Sequence, residues 1–180
     1  MTFNWHAGWW QDAERRASPN FDVRPEGAAV DLVVLHHISL PAGRFEGNAV
    51  VDFFENQLNV VHYPQLVELF DIKVSAHFFV RRTGAVLQLV SCDDRAWHAG
   101  VSRWRGRGVC NDFSIGIELE GDEKTPFSDP QYLALNTLLA ALKTAYPIKA
   151  VSSHSEIAPG RKIDPGPTFD WSRLDCHWHV

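Results

Sequence analysis

The stretch SSHSEIAPGRKIDPGPTFDW, residues 152–171, gathers several chemically capable side chains: His154, Glu156, Lys162 and Asp164. Pro159-Gly160 and Pro165-Gly166 shape the backbone between them, and loops that carry polar side chains on a defined path commonly build sites. A catalytic zinc takes three protein ligands from imidazole, thiolate or carboxylate and leaves a fourth position for water. Cys92, Cys110 and Cys176 show no CxxC spacing, which excludes a cysteine-rich zinc site and suits free thiols in a reducing compartment. His plus His plus Asp is then the available set. The run DLVVLHHISLP, residues 31–41, offers a further imidazole from His36 or His37. Adjacent strand residues point to opposite faces, so the two do not serve one metal. Spacing alone leaves ordinary readings open, with His154 a loop histidine and Asp164 a turn residue before proline.

Two other zinc chemistries lack their partners. The HSE of residues 154–156 matches half of a nucleobase-deaminase motif, but no P-C-x-x-C follows. No H-E-x-x-H is present either, which removes that class of metalloprotease.

These residues need elements to position them. Residues 31–36 read as a strand buried on both faces, being short, apolar and rich in β-branched residues. Residues 48–58 read as a helix capped by Asn48, with Val50, Phe53, Phe54 and Leu58 on one side. Residues 74–80 and 85–91 read as strands joined by an RRTG hairpin turn. In FSIGIELEG, residues 113–121, alternation puts Ile115, Ile117 and Leu119 on one face and Gly116, Glu118 and Glu120 on the other. Residues 128–147 form the clearest helix, with Asp129 as cap, Pro130 in the first turn and Tyr132, Leu135, Leu139, Leu142 and Tyr146 at helical spacing. Interleaved strands and helices with one hairpin predict an α/β fold, a mixed central sheet flanked by helices, as a single domain over residues 1–180.

Composition narrows the classes further. The chain is 45% hydrophobic and 22% charged, which is ordinary for a soluble globular protein. A formal charge of −5 argues against nucleic acid as a partner. No run approaches a membrane span, and Gln11, Asp12 and Glu14 interrupt any signal-peptide core, so a cytoplasmic protein is expected. The cluster Arg103, Arg105 and Arg107 suits carboxylate recognition, since guanidinium pairs bidentately with carboxylate.

The blocks VVLHHISLP, SAHFFVRRTG, RAWHAG, CNDFSIGIELEG and HSEIAPGRKIDPGPTFDW occur in an order that resembles the AmpD family of cytoplasmic N-acetylmuramoyl-L-alanine amidases. The likeness runs from about Pro19 to Leu174. It implies the fold shared with lysozyme-type amidases and peptidoglycan recognition proteins, and one zinc ion per chain held by His36, His154 and Asp164. It implies Glu118 and Lys162 as the catalytic pair; alternation alone cannot separate Glu118 from Glu120, and without the likeness both would read as structural or surface charges. The reaction implied is hydrolysis of the amide between the lactyl group of 1,6-anhydro-N-acetylmuramate and L-alanine in muropeptides during cell-wall recycling.

The alternative is a non-catalytic peptidoglycan-fragment sensor on the same fold. Trp97 and His98 are expected to line the pocket. Arg107 is expected to replace an arginine that the family carries where this chain has Val109, and Lys73 is a further candidate contact for peptide carboxylates. His37 stands where the family typically has asparagine, and is expected to touch substrate. A monomer is expected, with no membrane or nucleic-acid partner.

Overall fold

The structure is a computed structural model and describes residues 2–175. The tail residues His177 and His179, which composition would place at the surface, lie outside the described residues, as does Cys176. The central sheet is built from β1 (Glu14–Arg15), β2 (Leu32–Ile38), β3 (Phe78–Val80), β4 (Val86–Gln88), β5 (Ser114–Glu120) and β6 (Ala150–Ser153). Their order across the sheet is β6-β2-β5-β3-β4-β1. All neighbours are parallel except β3 and β4, which form the antiparallel hairpin over the RRTG turn. Gly84 sits in that turn at φ +85°, a conformation that favours a residue without Cβ.

The sheet is mixed and covered on both faces. Leu32, Val33, Val34 and Leu35 have no exposed surface, as expected of a central strand buried on both sides. One face receives α2 (Asp129–Ala145), whose Tyr132, Leu135, Leu139 and Leu142 pack into one cluster with Ile115, Ile117 and Leu119. The opposite face receives α1 (Ala49–Phe54), where Phe53 and Phe54 cluster with Phe79, Leu87 and Leu89. Among the described residues, no helix is long and apolar enough to cross a membrane.

Several local expectations differ in detail. Ser128, not Asp129, caps α2: its hydroxyl accepts from the Gln131 N–H while the Gln131 side chain accepts from the Ser128 N–H. A hydroxyl followed three residues later by glutamine is a capping box, and it outcompetes the adjacent carboxylate. Asn48 precedes α1 but makes no side-chain cap; its Oδ1 accepts from Arg81 instead. The Pro/Gly-rich stretch 152–171 opens with the last two residues of β6 and a one-turn helix, α3 (His154–Ile157), rather than continuous loop. Four residues are too few for either period to show.

Candidate metal centre and substrate groove

The parallel strands set the site. β5 pairs with β2 so that Glu118 stands beside His36, and β6 pairs with β2 up to Ser153 beside Leu35. His36, Glu118 and His154 therefore collect at the carboxyl ends of three adjacent parallel strands, the usual place for ligands in open α/β sheets. Ser153 caps α3 by accepting from the Glu156 N–H, which fixes His154 as the first helical residue. Asp164 is brought back to α3 by its carbonyl, which accepts from the Ser155 N–H.

His36 Nδ1, His154 Nδ1 and Asp164 Oδ2 form a triangle with edges of 2.9, 3.0 and 3.0 Å. Among the described residues these three form a buried group with the donor set and spacing of a metal site. The chemistry of the atoms supports that reading. His154 Nε2 lies 3.1 Å from the Ala99 carbonyl, which only accepts, so the ring proton sits on Nε2 and Nδ1 presents a lone pair. A lone pair and a carboxylate oxygen at hydrogen-bond distance, facing a further imidazole, suit a cation.

Burial lowers the His36 pKa to about 4, which keeps its ring neutral and ligand-competent near pH 7. Glu118 is also enclosed. Burial, and then the nearby Asp164 carboxylate, raise its pKa well above the ordinary glutamate value, while Lys162 works the other way. Its Oε2 is buried and has no hydrogen-bond partner in the protein. A buried carboxyl with a raised pKa and an unpartnered oxygen is equipped for general acid–base work.

A cavity of about 440 Å³ is lined by His36, Glu118, His154, Lys162 and Asp164 together. It shares His98, His154, Arg161 and Lys162 with an adjoining cavity of about 340 Å³ that Lys73 and Trp97 also line. On its other side it shares His37 with a cavity of about 490 Å³ bordered by Asp122 and Lys124. The central cavity, which holds the triangle of acceptor atoms in its lining, thus shares lining residues with a neighbour on each side. His37 Nε2 is buried without a protein partner, as Glu118 Oε2 is.

The sequence expectations separate here. His36, His154 and Asp164 converge, and Glu118 and Lys162 line the same cavity. His37, Trp97, His98 and Lys73 line the groove. Arg107 borders none of these three cavities; it pairs with Asp31 at 2.7 Å and lies 3.9 Å over the Phe113 ring. Glu120, indistinguishable from Glu118 by alternation, accepts from the Arg82 N–H instead of lining the cavity. Glu156 accepts from the Ser152 hydroxyl. Arg161 was not singled out, although its place in the Pro-Gly loop beside Lys162 was a usable signal. It lines the groove and donates to the carbonyls of Ala99 and Val101, both at 2.7 Å.

Known proteins resemble this chain in sequence and in fold. A family model described as N-acetylmuramoyl-L-alanine amidase matches residues 26–167. The chain is 46% identical over 165 residues to the 1,6-anhydro-N-acetylmuramyl-L-alanine amidase AmpD of Haemophilus influenzae, covering 90% of each. It is 46% identical over 169 residues to AmpD of Escherichia coli, covering 93% of this chain and 92% of that one. A crystal structure of a selenomethionine AmpD derivative superposes with a TM-score of 0.91 at 44% identity over 97% of both chains. The E. coli amidase AmiD, solved with anhydro-N-acetylmuramic acid-L-Ala-D-gamma-Glu-L-Lys, gives a TM-score of 0.61 at 30% identity, covering 96% of this chain and 64% of that one. The chain belongs to the N-acetylmuramoyl-L-alanine amidase family.

Proposed function

We propose that this chain uses one zinc ion to hydrolyse the amide between the lactyl group of 1,6-anhydro-N-acetylmuramic acid and L-alanine in muropeptides, in cytoplasmic cell-wall recycling. The observation that carries the reading is the triangle of His36, His154 and Asp164 atoms beside Glu118, which lines the same cavity and has one carboxyl oxygen without a protein partner. Similarity to AmpD enzymes over most of both chains supports the substrate class.

His36 and His154 through Nδ1, and Asp164 through Oδ2, would hold the zinc, which supplies Lewis acidity and lowers the pKa of a water to about 7. Glu118 takes the proton from the attacking water and delivers it to the departing L-alanine nitrogen. The Lys162 ammonium faces the charge that develops on the carbonyl oxygen. Lys73 and Arg161 give the adjoining cavity positive charge suited to the carboxylates of a peptide stem. His37 offers a ring nitrogen to the sugar or peptide at the opposite end. The single-domain organisation over 1–180 and a monomeric state are part of this proposal.

Mass spectrometry after incubation with anhydro-muropeptides and, separately, with intact sacculi tests the reading. Release of peptide from the anhydro-muropeptides is expected. Cleavage of sacculi alone would overturn the recycling assignment.

A further inference from the structure

Resting on the zinc reading, we propose that His98 and Ser114 are positioning residues that hold the His36 imidazole as its Nε2–H tautomer and so aim the Nδ1 lone pair at the metal.

The direction of every proton in the chain follows from one carbonyl. Ser114 Oγ lies 2.6 Å from the Cys110 carbonyl, which only accepts, so the hydroxyl proton is committed there. Toward His98 Nε2, at 3.2 Å, Ser114 must accept, and that nitrogen carries the proton. A neutral imidazole has one N–H, so His98 Nδ1 is the acceptor at the other edge of the ring. His36 Nε2 lies 2.9 Å from it and therefore donates. The remaining His36 nitrogen, Nδ1, is left with its lone pair toward His154 Nδ1 and Asp164 Oδ2.

Packing holds this order in place. His98 is buried, and its ring packs edge to face with His36 at 5.1 Å and with His77 at 5.8 Å. It sits directly over Gly116, where an added Cβ would collide with His98 Cγ. The glycine in SIGIE is thus the seat of the His98 ring, and the alternation of β5 puts Ser114, Gly116 and Glu118 on that one face.

The same short segment orients the second ligand. Asn111 Oδ1 accepts from the N–H groups of both His98 and Ala99, at 3.2 and 2.8 Å. The Ala99 carbonyl then accepts from His154 Nε2. Residues 98–99 therefore impose the same tautomer on both imidazoles, one through a side chain and one through a carbonyl. With no proton on either Nδ1, three acceptor atoms face one another at about 3 Å, which only a cation reconciles.

The test reads tautomers and metal affinity. Ring-nitrogen NMR of chelator-treated protein is expected to show His36 protonated on Nε2 and bare on Nδ1. His98→Leu removes the acceptor and is expected to weaken zinc binding about 10- to 100-fold in chelator competition. His98→Gln keeps an acceptor oxygen and is expected to retain most of the affinity. Ser114→Ala removes the committed hydroxyl with little change in volume and is expected to give mixed tautomers at His36 and His98. A His36 proton on Nδ1 in the parental protein would overturn the proposal. So would parental affinity in folded H98L, or a single unchanged tautomer in S114A. Failure of the parental protein to bind zinc would sink the zinc reading instead, and the tautomer measurement would still decide this one.

Discussion

Glu118 and His36 are register partners on adjacent parallel strands, so carboxyl and imidazole rise side by side from one face of the sheet. Of the flanking pairs on that face, Gly116 with Val34 carries no acid or base, and Glu120, opposite Ile38, accepts from the Arg82 N–H. Proton transfer and metal binding are thus fixed relative to each other by the sheet ladder, whereas His154 and Asp164 come from a helix start and a loop.

That rigid pairing makes Glu118→Gln informative. The amide preserves shape and leaves the ligand triangle intact, so zinc content is expected to stay near one per chain. Turnover of anhydro-muropeptide is expected to fall about 10²- to 10⁴-fold, the usual contribution of a positioned general acid–base. Near-normal turnover in steady-state assays would refute the role assigned to Glu118.

Asp164→Ala removes the only carboxylate of the triangle. A two-imidazole site is expected to lose zinc on dialysis, measured by elemental analysis, and activity with it. Chelator treatment of the parental protein is expected to abolish turnover, and added zinc to restore it. Full activity of metal-free protein would end the proposed mechanism.

What the sequence disclosed follows from physical scale. The strand at 32–38 and the helix at 129–145 are long enough for their periods to show, and both lie where patterning places them. Ala150–Ser153 and His154–Ile157, four residues each, are invisible to patterning because neither spans a full period, and residues 152–157 carry the composition of a loop. Arg107 sits in a basic cluster that suits carboxylate binding, but its carboxylate is Asp31, 76 residues away in sequence. The ligand triangle closes across separations of 118 and 128 residues, which no local spacing can disclose; only likeness to a family named its members. Ser114 and Asn111 were silent for a related reason. Their importance lies in which proton goes where, and that needs coordinates.

His37 tests the far end of the groove. The residue lines both the central cavity and the one beyond it, its Nε2 has no protein partner, and it is not among the three converging ligand residues. His37→Ala is expected to leave zinc content unchanged and to raise KM roughly fivefold, the worth of one hydrogen bond of about 1 kcal/mol. A fall in kcat with KM unchanged would move His37 from ground-state binding to the chemical step.

Acid stability provides a test away from the ligands. His77 is fully buried: its Nδ1 accepts from the Gly116 N–H at 3.0 Å, and its Nε2 lies 3.0 Å from Arg24 Nη2 and 3.2 Å from the Asp94 carbonyl. Burial, and then the Arg24 guanidinium beside it, hold its pKa well below 6.5, although the Asp94 carbonyl works the other way. The unfolded chain therefore takes up this proton near pH 6.5 while the folded protein does not. The stabilisation is complete above that pH and is lost progressively as pH falls toward the folded-state value. Each such group contributes about 1.4 kcal/mol per pH unit within the window. Glu118, whose pKa is raised by burial, contributes with the opposite sign and is common to both proteins compared. Urea unfolding of chelator-treated protein between about pH 5 and 6 is expected to give His77→Gln a slope shallower by roughly one proton, from a lower starting stability. Parallel pH profiles for the parental and variant proteins would show that His77 is not held neutral by the fold.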